Sequence, residues 1–226
     1  MLTMFLTIMQ ARTSSQRLPG KALLPVNDLP MAILAATRAL NSFSDLVVAT
    51  SLDKSDDLLC KYLDSKNIQY HRGSLKNVLS RFLEIAETFN LQPKDTVIRL
   101  TADNPIVDKH LLEEMKDVWV SNNYEYMTAQ PDGPPSTKWP RGLSAEFFRY
   151  EQLLKTAKNQ NDPSIQEHVS IEIKKTSKKL IYGKNRNIES IASSCTVDTF
   201  EDYLNILDLF ENHSINQKYS TILSNM

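Results

Sequence analysis

The chain is short of several things that would assign it to a class at once. Its two cysteines, Cys60 and Cys195, cannot make a disulfide framework, and they stand in no metal-ligand spacing. At 226 residues one core can be well covered, so no staple is needed, and both thiols are expected to be small core residues. No apolar run approaches the roughly 20 residues of a membrane span. The opening "MLTMFLTIM" has no basic segment before it and no small-residue cleavage site after it, which argues against a secretory signal. A net charge of −1, from 26 basic and 27 acidic residues, argues against a general nucleic-acid binder, which would normally show a basic field over one whole face. It leaves room for a small anionic ligand held by a few placed cations. A cytoplasmic enzyme or binding protein is the expectation, with no nucleic acid and no membrane as partner.

What is present is an alternation of strand-like and helix-like runs. Met4–Gln10, Asp45–Thr50, Ile68–His71 and Asp95–Thr101 read as strands, and Pro30–Leu40, Asp56–Ser65, Asn77–Phe89 and Asp108–Val120 as helices. Such alternation predicts a single Rossmann-like α/β domain with a mainly parallel, helix-covered sheet. Its ligands would collect beyond the carboxyl ends of the strands. After Tyr124 the pattern changes. "QPDGPPSTKWPRG", Gln130–Gly142, reads as a long irregular loop, followed by helices over Arg149–Lys158 and Ser164–Lys174. "KKLIYGK" and "SSCTVD" read as strands. Thr199–Phe210 reads as a helix with Phe200, Tyr203, Leu204, Leu207 and Phe210 inward, and the tail from His213 as weakly packed. Residues 124–184 form an excursion from the one domain.

The chemistry concentrates in "QARTSSQRLPGKALLP", directly after the first strand. With five glycines in the chain, neither G-x-x-x-x-G-K-[ST] nor G-x-G-x-x-G occurs. The loop offers Arg12, Arg17 and Lys21 with Ser14, Ser15 and the surrounding amides. Guanidinium forks and an ammonium suit a polyphosphate, and Gly20 permits a sharp turn. A solvated basic loop reads equally well from these residues alone. In "TADNP", Asp103 suits either a cation or an Asx-turn before proline. Asp198 in "TVDTFED" suits either a cation or a helix cap. Arg81, on the following helix, carries a weaker signal and could simply be a solvated face residue, and His71, His110 and His213 read as surface or packing residues.

"QARTSSQRLPGKALLPV" resembles the A-R-x-x-S-x-R-L-P-G-K-x-L signature of the CMP-sugar-acid synthetase superfamily, in particular the cytidylyltransferases of the spore-coat polysaccharide type. "LVVATS", "HRGSLKNVLSRF", "VIRLTADNPIVD", "WPRGLSAEFF", "QEHVS" and "TVDTFED" match in order, spanning about residues 4–205. The resemblance implies CMP transfer from CTP to an acceptor with magnesium, releasing pyrophosphate, in precursor synthesis for surface polysaccharide or glycoconjugate. It places Ala11, Arg12, Ser15, Arg17 and Lys21 at the nucleotide, with Arg72, Gly73 and Ser74 near its base or phosphates. Lys21, Arg12 and Asp103 would be the catalytic groups, and Asp103 and Asp198 the magnesium ligands. Arg141, Glu146 and His168 would face a small anionic acceptor, and the excursion would pair two copies in a homodimer. Ser144, Ala145, Asn77 and Gln166 depart from the common pattern, three of them on the acceptor side. A nucleotide-sugar glycosyltransferase, disfavoured by the single acid of "TADNP", and a non-catalytic nucleotide-binding paralogue are the alternatives.

Overall fold

The structure is a computed structural model describing residues 3–131, 138–158, 162–188 and 190–224. Residues 132–137 of the proline-rich segment lie outside the described residues. Among the described residues, nine strands run in chain order: β1 (Phe5–Gln10), β2 (Pro25–Val26), β3 (Leu29–Pro30), β4 (Asp45–Ser51), β5 (Tyr70–Gly73), β6 (Thr96–Thr101), β7 (Tyr126–Thr128), β8 (Glu146–Arg149) and β9 (Lys179–Ile181). The helices are α1 (Met31–Ala39), α2 (Asp57–Ser65), α3 (Val78–Thr88), α4 (Lys109–Val120), α5 (Tyr150–Ala157), α6 (Pro163–Glu167), α7 (Ile171–Thr176), α8 (Phe200–Glu211) and α9 (Tyr219–Leu223).

Seven strands make one sheet in the order β5-β4-β1-β6-β8-β7-β9. β1 pairs in parallel with β4 on one side and β6 on the other, and β5 continues in parallel beyond β4. The chain therefore moves outward from β1 to β5 and returns to the opposite flank at β6. That reversal opens a crevice beyond the carboxyl ends of β1 and β6, the usual ligand position in such sheets. β2 and β3 form a small separate hairpin whose turn residues, Asn27 and Asp28, both have positive φ, as a tight two-residue hairpin turn requires.

Alternation along β1 sets the two layers. Phe5 and Met9 face a core completed by α1, α4, α8 and α9. Leu6 and Ile8 face a second core closed by α3, α5 and α7. Because helices cover both faces, the inner strands are apolar on both sides. Each fully buried leucine or isoleucine contributes about 1.5–3 kcal/mol. Both cysteines are buried as expected.

Within the mainly parallel sheet, β8 from the excursion runs antiparallel between β6 and β7. Three expectations are corrected. The helix expected over Ser164–Lys174 is two, α6 and α7, broken at His168–Ser170. "SSCTVD" forms no strand, only an isolated bridge between Arg141 and Ser194. On α8, Phe200 and Leu204 are exposed while Ile206 and Leu209 turn inward with Tyr203 and Phe210.

The tail is also better packed than its composition implies. Tyr219, Ile222 and Leu223 are buried. The Tyr219 amide donates to Asp108 Oδ2 at 2.7 Å, and the buried Arg38 donates to the carbonyls of Ile215 and Gln217.

Candidate active site

The basic loop begins where β1 stops. The Ala11 amide donates to the Ala49 carbonyl at 3.1 Å, extending the ladder to β4 by one residue. Thr13 is then pinned by the fully buried Asp56, which accepts from the Thr13 amide at 2.7 Å and its hydroxyl at 2.8 Å. The second oxygen of Asp56 accepts from the Ser51 amide at 3.1 Å and from the Ser51 hydroxyl. Burial pushes this carboxyl upward, but the Ser51 and Thr13 donors outweigh it and hold it below the usual range. Four donors on one buried carboxylate fix the root of the loop to the end of β4.

The loop closes on itself when the Gly20 amide donates to the Thr13 carbonyl at 2.8 Å. Gly20 has φ +75 with nothing near the place of a Cβ. Glycine is needed there for its left-handed backbone and not for space. A single 3₁₀ turn, Lys21–Leu23, follows and sends the Lys21 side chain inward, 9% exposed.

Lys21 Nζ reaches three acceptors: Asp103 Oδ2 at 3.0 Å, Asp198 Oδ1 at 3.1 Å and the Val197 carbonyl at 2.6 Å. The segments bearing the two acids are tied by the Val197 amide donating to the Asp103 carbonyl at 2.9 Å. Residues more than 80 apart in sequence thus surround one ammonium. Asp198 is not the cap of α8. That role belongs to Thr199, in a reciprocal capping box with Asp202, which leaves the Asp198 carboxylate for Lys21 and for Arg17, 2.9 Å away. The Arg17 side chain is 66% exposed, so this pair adds little stability and the guanidinium stays available to a ligand.

A cavity of about 560 Å³ opens at this point. Of the predicted site residues, Ala11, Arg12, Ser15, Arg17, Lys21, Asp103, His168 and Asp198 all line it. Arg12 pairs across it with Glu167 at 3.5 Å, which brings the α6–α7 break to the mouth.

The sequence matches the cytidylyltransferase family over residues 6–222. The chain belongs to that family. Among curated relatives, it is 29% identical over 218 residues to the spore coat polysaccharide biosynthesis protein SpsF of Bacillus subtilis, covering 91% of this chain and 86% of SpsF. It is 30% identical over 165 residues to the uncharacterized protein MJ1063 of Methanocaldococcus jannaschii, 72% of this chain and 64% of that one. It is 27% identical over 128 residues to the 3-deoxy-manno-octulosonate cytidylyltransferase of Neisseria meningitidis, 57% of this chain and 50% of that enzyme. The chain thus spans half to two thirds of the length of two of these relatives. A solved structure of a cytidylyltransferase from Leptospira borgpetersenii superposes with a TM-score of 0.86 at 26% identity, covering 98% of this chain and 92% of the other.

Within this family fold, five predicted residues do not line the cavity. Arg72 is spent on the carbonyls of Ser51 and Asp53 at 2.8 and 3.0 Å and on Asp57 at 2.7 Å. Ser74 accepts from the Asn77 amide. Gly73 packs against the stem of Arg81. Arg141 is exposed, with its Nε donating to the Ser194 hydroxyl at 3.3 Å. Glu146 is held by Arg99, Tyr126 and Ser170. Burial pushes the Glu146 carboxyl upward, but Arg99 and the hydroxyl donors bring it below the usual range. It acts as a counterion within the sheet, and Arg99 in turn donates to Gln10 Oε1 at 3.0 Å at the cavity edge.

Sequence reasoning missed Asp56, Gln10 and Glu167, and gave Arg81 only a weak signal. Arg81 is not solvated: it is 1% exposed and lines the cavity. Its helical spacing gave a signal, since Val78, Phe82 and Ile85 mark the same inward side of α3. Asp56 gave none that composition could show.

Among the described residues no three His, Cys, Asp or Glu side chains gather to hold a metal. The site therefore offers two carboxylates and not a cage. That donor set fits magnesium, a hard cation that takes one or two carboxylates and completes its shell with water and phosphate oxygens.

Proposed function

We propose that this chain transfers a cytidylyl group from CTP to a sugar acid or another small anionic acceptor, with release of pyrophosphate, in precursor synthesis for surface polysaccharide or glycoconjugate. The observation that carries the reading is the convergence of Lys21, Asp103 and Asp198 on one cavity at the switch point of the sheet. Family membership and the names of the SpsF and octulosonate relatives support it.

An acceptor oxygen would attack the α-phosphorus in line as pyrophosphate departs, chemistry that depends on placement and charge stabilisation. Arg12, Ser15, Arg17 and the amides of the loop that begins at Ala11 would grip the triphosphate. Lys21 would turn from its carboxylates toward the phosphates. Asp103 and Asp198 would hold magnesium, which supplies charge neutralisation at the phosphate oxygens when bound. His168 and Glu167, at the other side of the cavity, would meet the acceptor, and the excursion over 124–184 would shape that side and pair two copies.

A pyrophosphate-release screen crossing the four nucleoside triphosphates with anionic sugars and phosphorylated metabolites tests the reading. Release that depends on CTP, a divalent cation and one acceptor class is expected. Free UDP from UDP-sugars would show a glycosyltransferase instead, and binding without turnover on every acceptor would show a non-catalytic nucleotide binder.

A further inference from the structure

Among the described residues, Arg81 is a cation without a counterion. Its Nη1 donates to the Ala49 carbonyl at 3.0 Å, and its Nε is buried with no partner. It makes no ion pair among the described residues. The two acids nearest in charge are Asp56 and Glu84, and both are committed elsewhere. Asp56 accepts four bonds from Thr13 and Ser51, and Glu84 Oε2 lies 2.7 Å from His71 Nε2. Burial, then the neighbouring charge of Arg12, lowers the Arg81 guanidinium to about 10. A buried, uncompensated charge is costly, and the fold makes room for this one. A Cβ on Gly73 would stand 2.7 Å from Arg81 Cγ, at the rigid end of the side chain, so the glycine is what lets the arginine lie there.

The cavity supplies the reason for tolerating that cost. Arg81 and Arg12 both line it, two cations close enough to repel, with Glu167 engaging only Arg12. We propose that Arg81 is a substrate-binding residue that, beside Arg12, holds phosphoryl oxygens of the nucleotide, and that Gly73 acts by seating it. The assignment rests on the CTP reading of the site. It also replaces direct contact by Gly73 with a positioning role.

The test compares wild type with Arg81→Met, Arg81→Lys and Gly73→Ala by titration calorimetry with CTP and magnesium and by thermal unfolding without ligand. A residue kept for a ligand gives a free Arg81→Met protein no more than about 3 °C less stable than wild type, because a desolvated charge has gone. Its CTP affinity falls about ten- to a hundredfold, the worth of a charge-assisted hydrogen bond. Arg81→Lys recovers part of the loss, and Gly73→Ala shows a loss in the same direction. Unchanged affinity in Arg81→Met overturns the proposal, as does a large fall in unfolding temperature with affinity lost only in proportion to unfolded protein. If wild type itself fails to bind CTP, the CTP reading falls. Pyrophosphate then decides for Arg81: weaker binding to Arg81→Met supports an anion site, and equal binding overturns it.

Discussion

Replacing Lys21 by methionine tests the arrangement at its centre. The ammonium lies within 3.1 Å of three acceptors, and its side chain is 11% exposed, against 29% for Asp103 and 15% for Asp198. Breaking a buried ion pair by removing one partner costs about 3–5 kcal/mol. These carboxylates keep some access to water, which reduces the cost to about 2–3 kcal/mol. For a chain of this size that is a fall of about 4–12 °C in unfolding midpoint. Scanning calorimetry without ligand measures it.

The charge argument has a sharper consequence. Methionine leaves two carboxylates facing each other without their shared cation, so neutralising one should return stability. The double variant Lys21→Met/Asp198→Asn is expected to be more stable than additivity allows by at least about 1 kcal/mol. Pyrophosphate release should fall about 10²–10³-fold in Lys21→Met, as for loss of one preorganised electrostatic group. Strict additivity in the cycle, together with an unchanged midpoint for Lys21→Met, would refute the claim that the three groups form one charge cluster.

Asp56→Asn forfeits two of the four bonds at the loop root and turns an amide against donors, so a loss of about 2–4 kcal/mol in urea unfolding is expected. The folded-state value of Asp56 is lowered from 3.8. Its contribution is therefore fully present above that unfolded value and is lost as pH falls through the folded one; acid unfolding of wild type, but not of Asp56→Asn, should show that loss. Cys195, 1% exposed and pushed up to about 12 by burial, should resist iodoacetamide in the native protein at neutral pH and react only after unfolding, as read by mass spectrometry. Deleting residues 214–226 removes buried Tyr219, Ile222 and Leu223 and strips partners from Arg38 and Asp108. Circular dichroism should show a midpoint lowered by more than 10 °C, or no folded protein.

The mostly parallel sheet could be read from the sequence because β1, β4 and β6 are buried on both faces and their helices keep a 3.6-residue spacing. Each is a local pattern that the chain displays whatever its partners. The motif residues around Lys21 could be named for the same reason, since loop composition and the turn at Gly20 are local. The inserted strand β8, the inward face of α8 and the docked tail could not, because each depends on a surface presented by residues far along the chain. Phe200 and Leu204 are apolar and helically spaced, yet the core receives Ile206 and Leu209 from the same helix.

The same division runs through the site. Arg81 and Arg72 are both arginines near one short strand. Only the packing against Gly73 and the claims of Ser51, Asp53 and Asp57 decide which of them reaches the cavity. Sequence determined which chemical groups were at hand and on which kind of element each would ride. Tertiary structure decided which charges meet, because charge pairing in a partly dry cavity depends on distances of about 3 Å between groups that the chain keeps far apart.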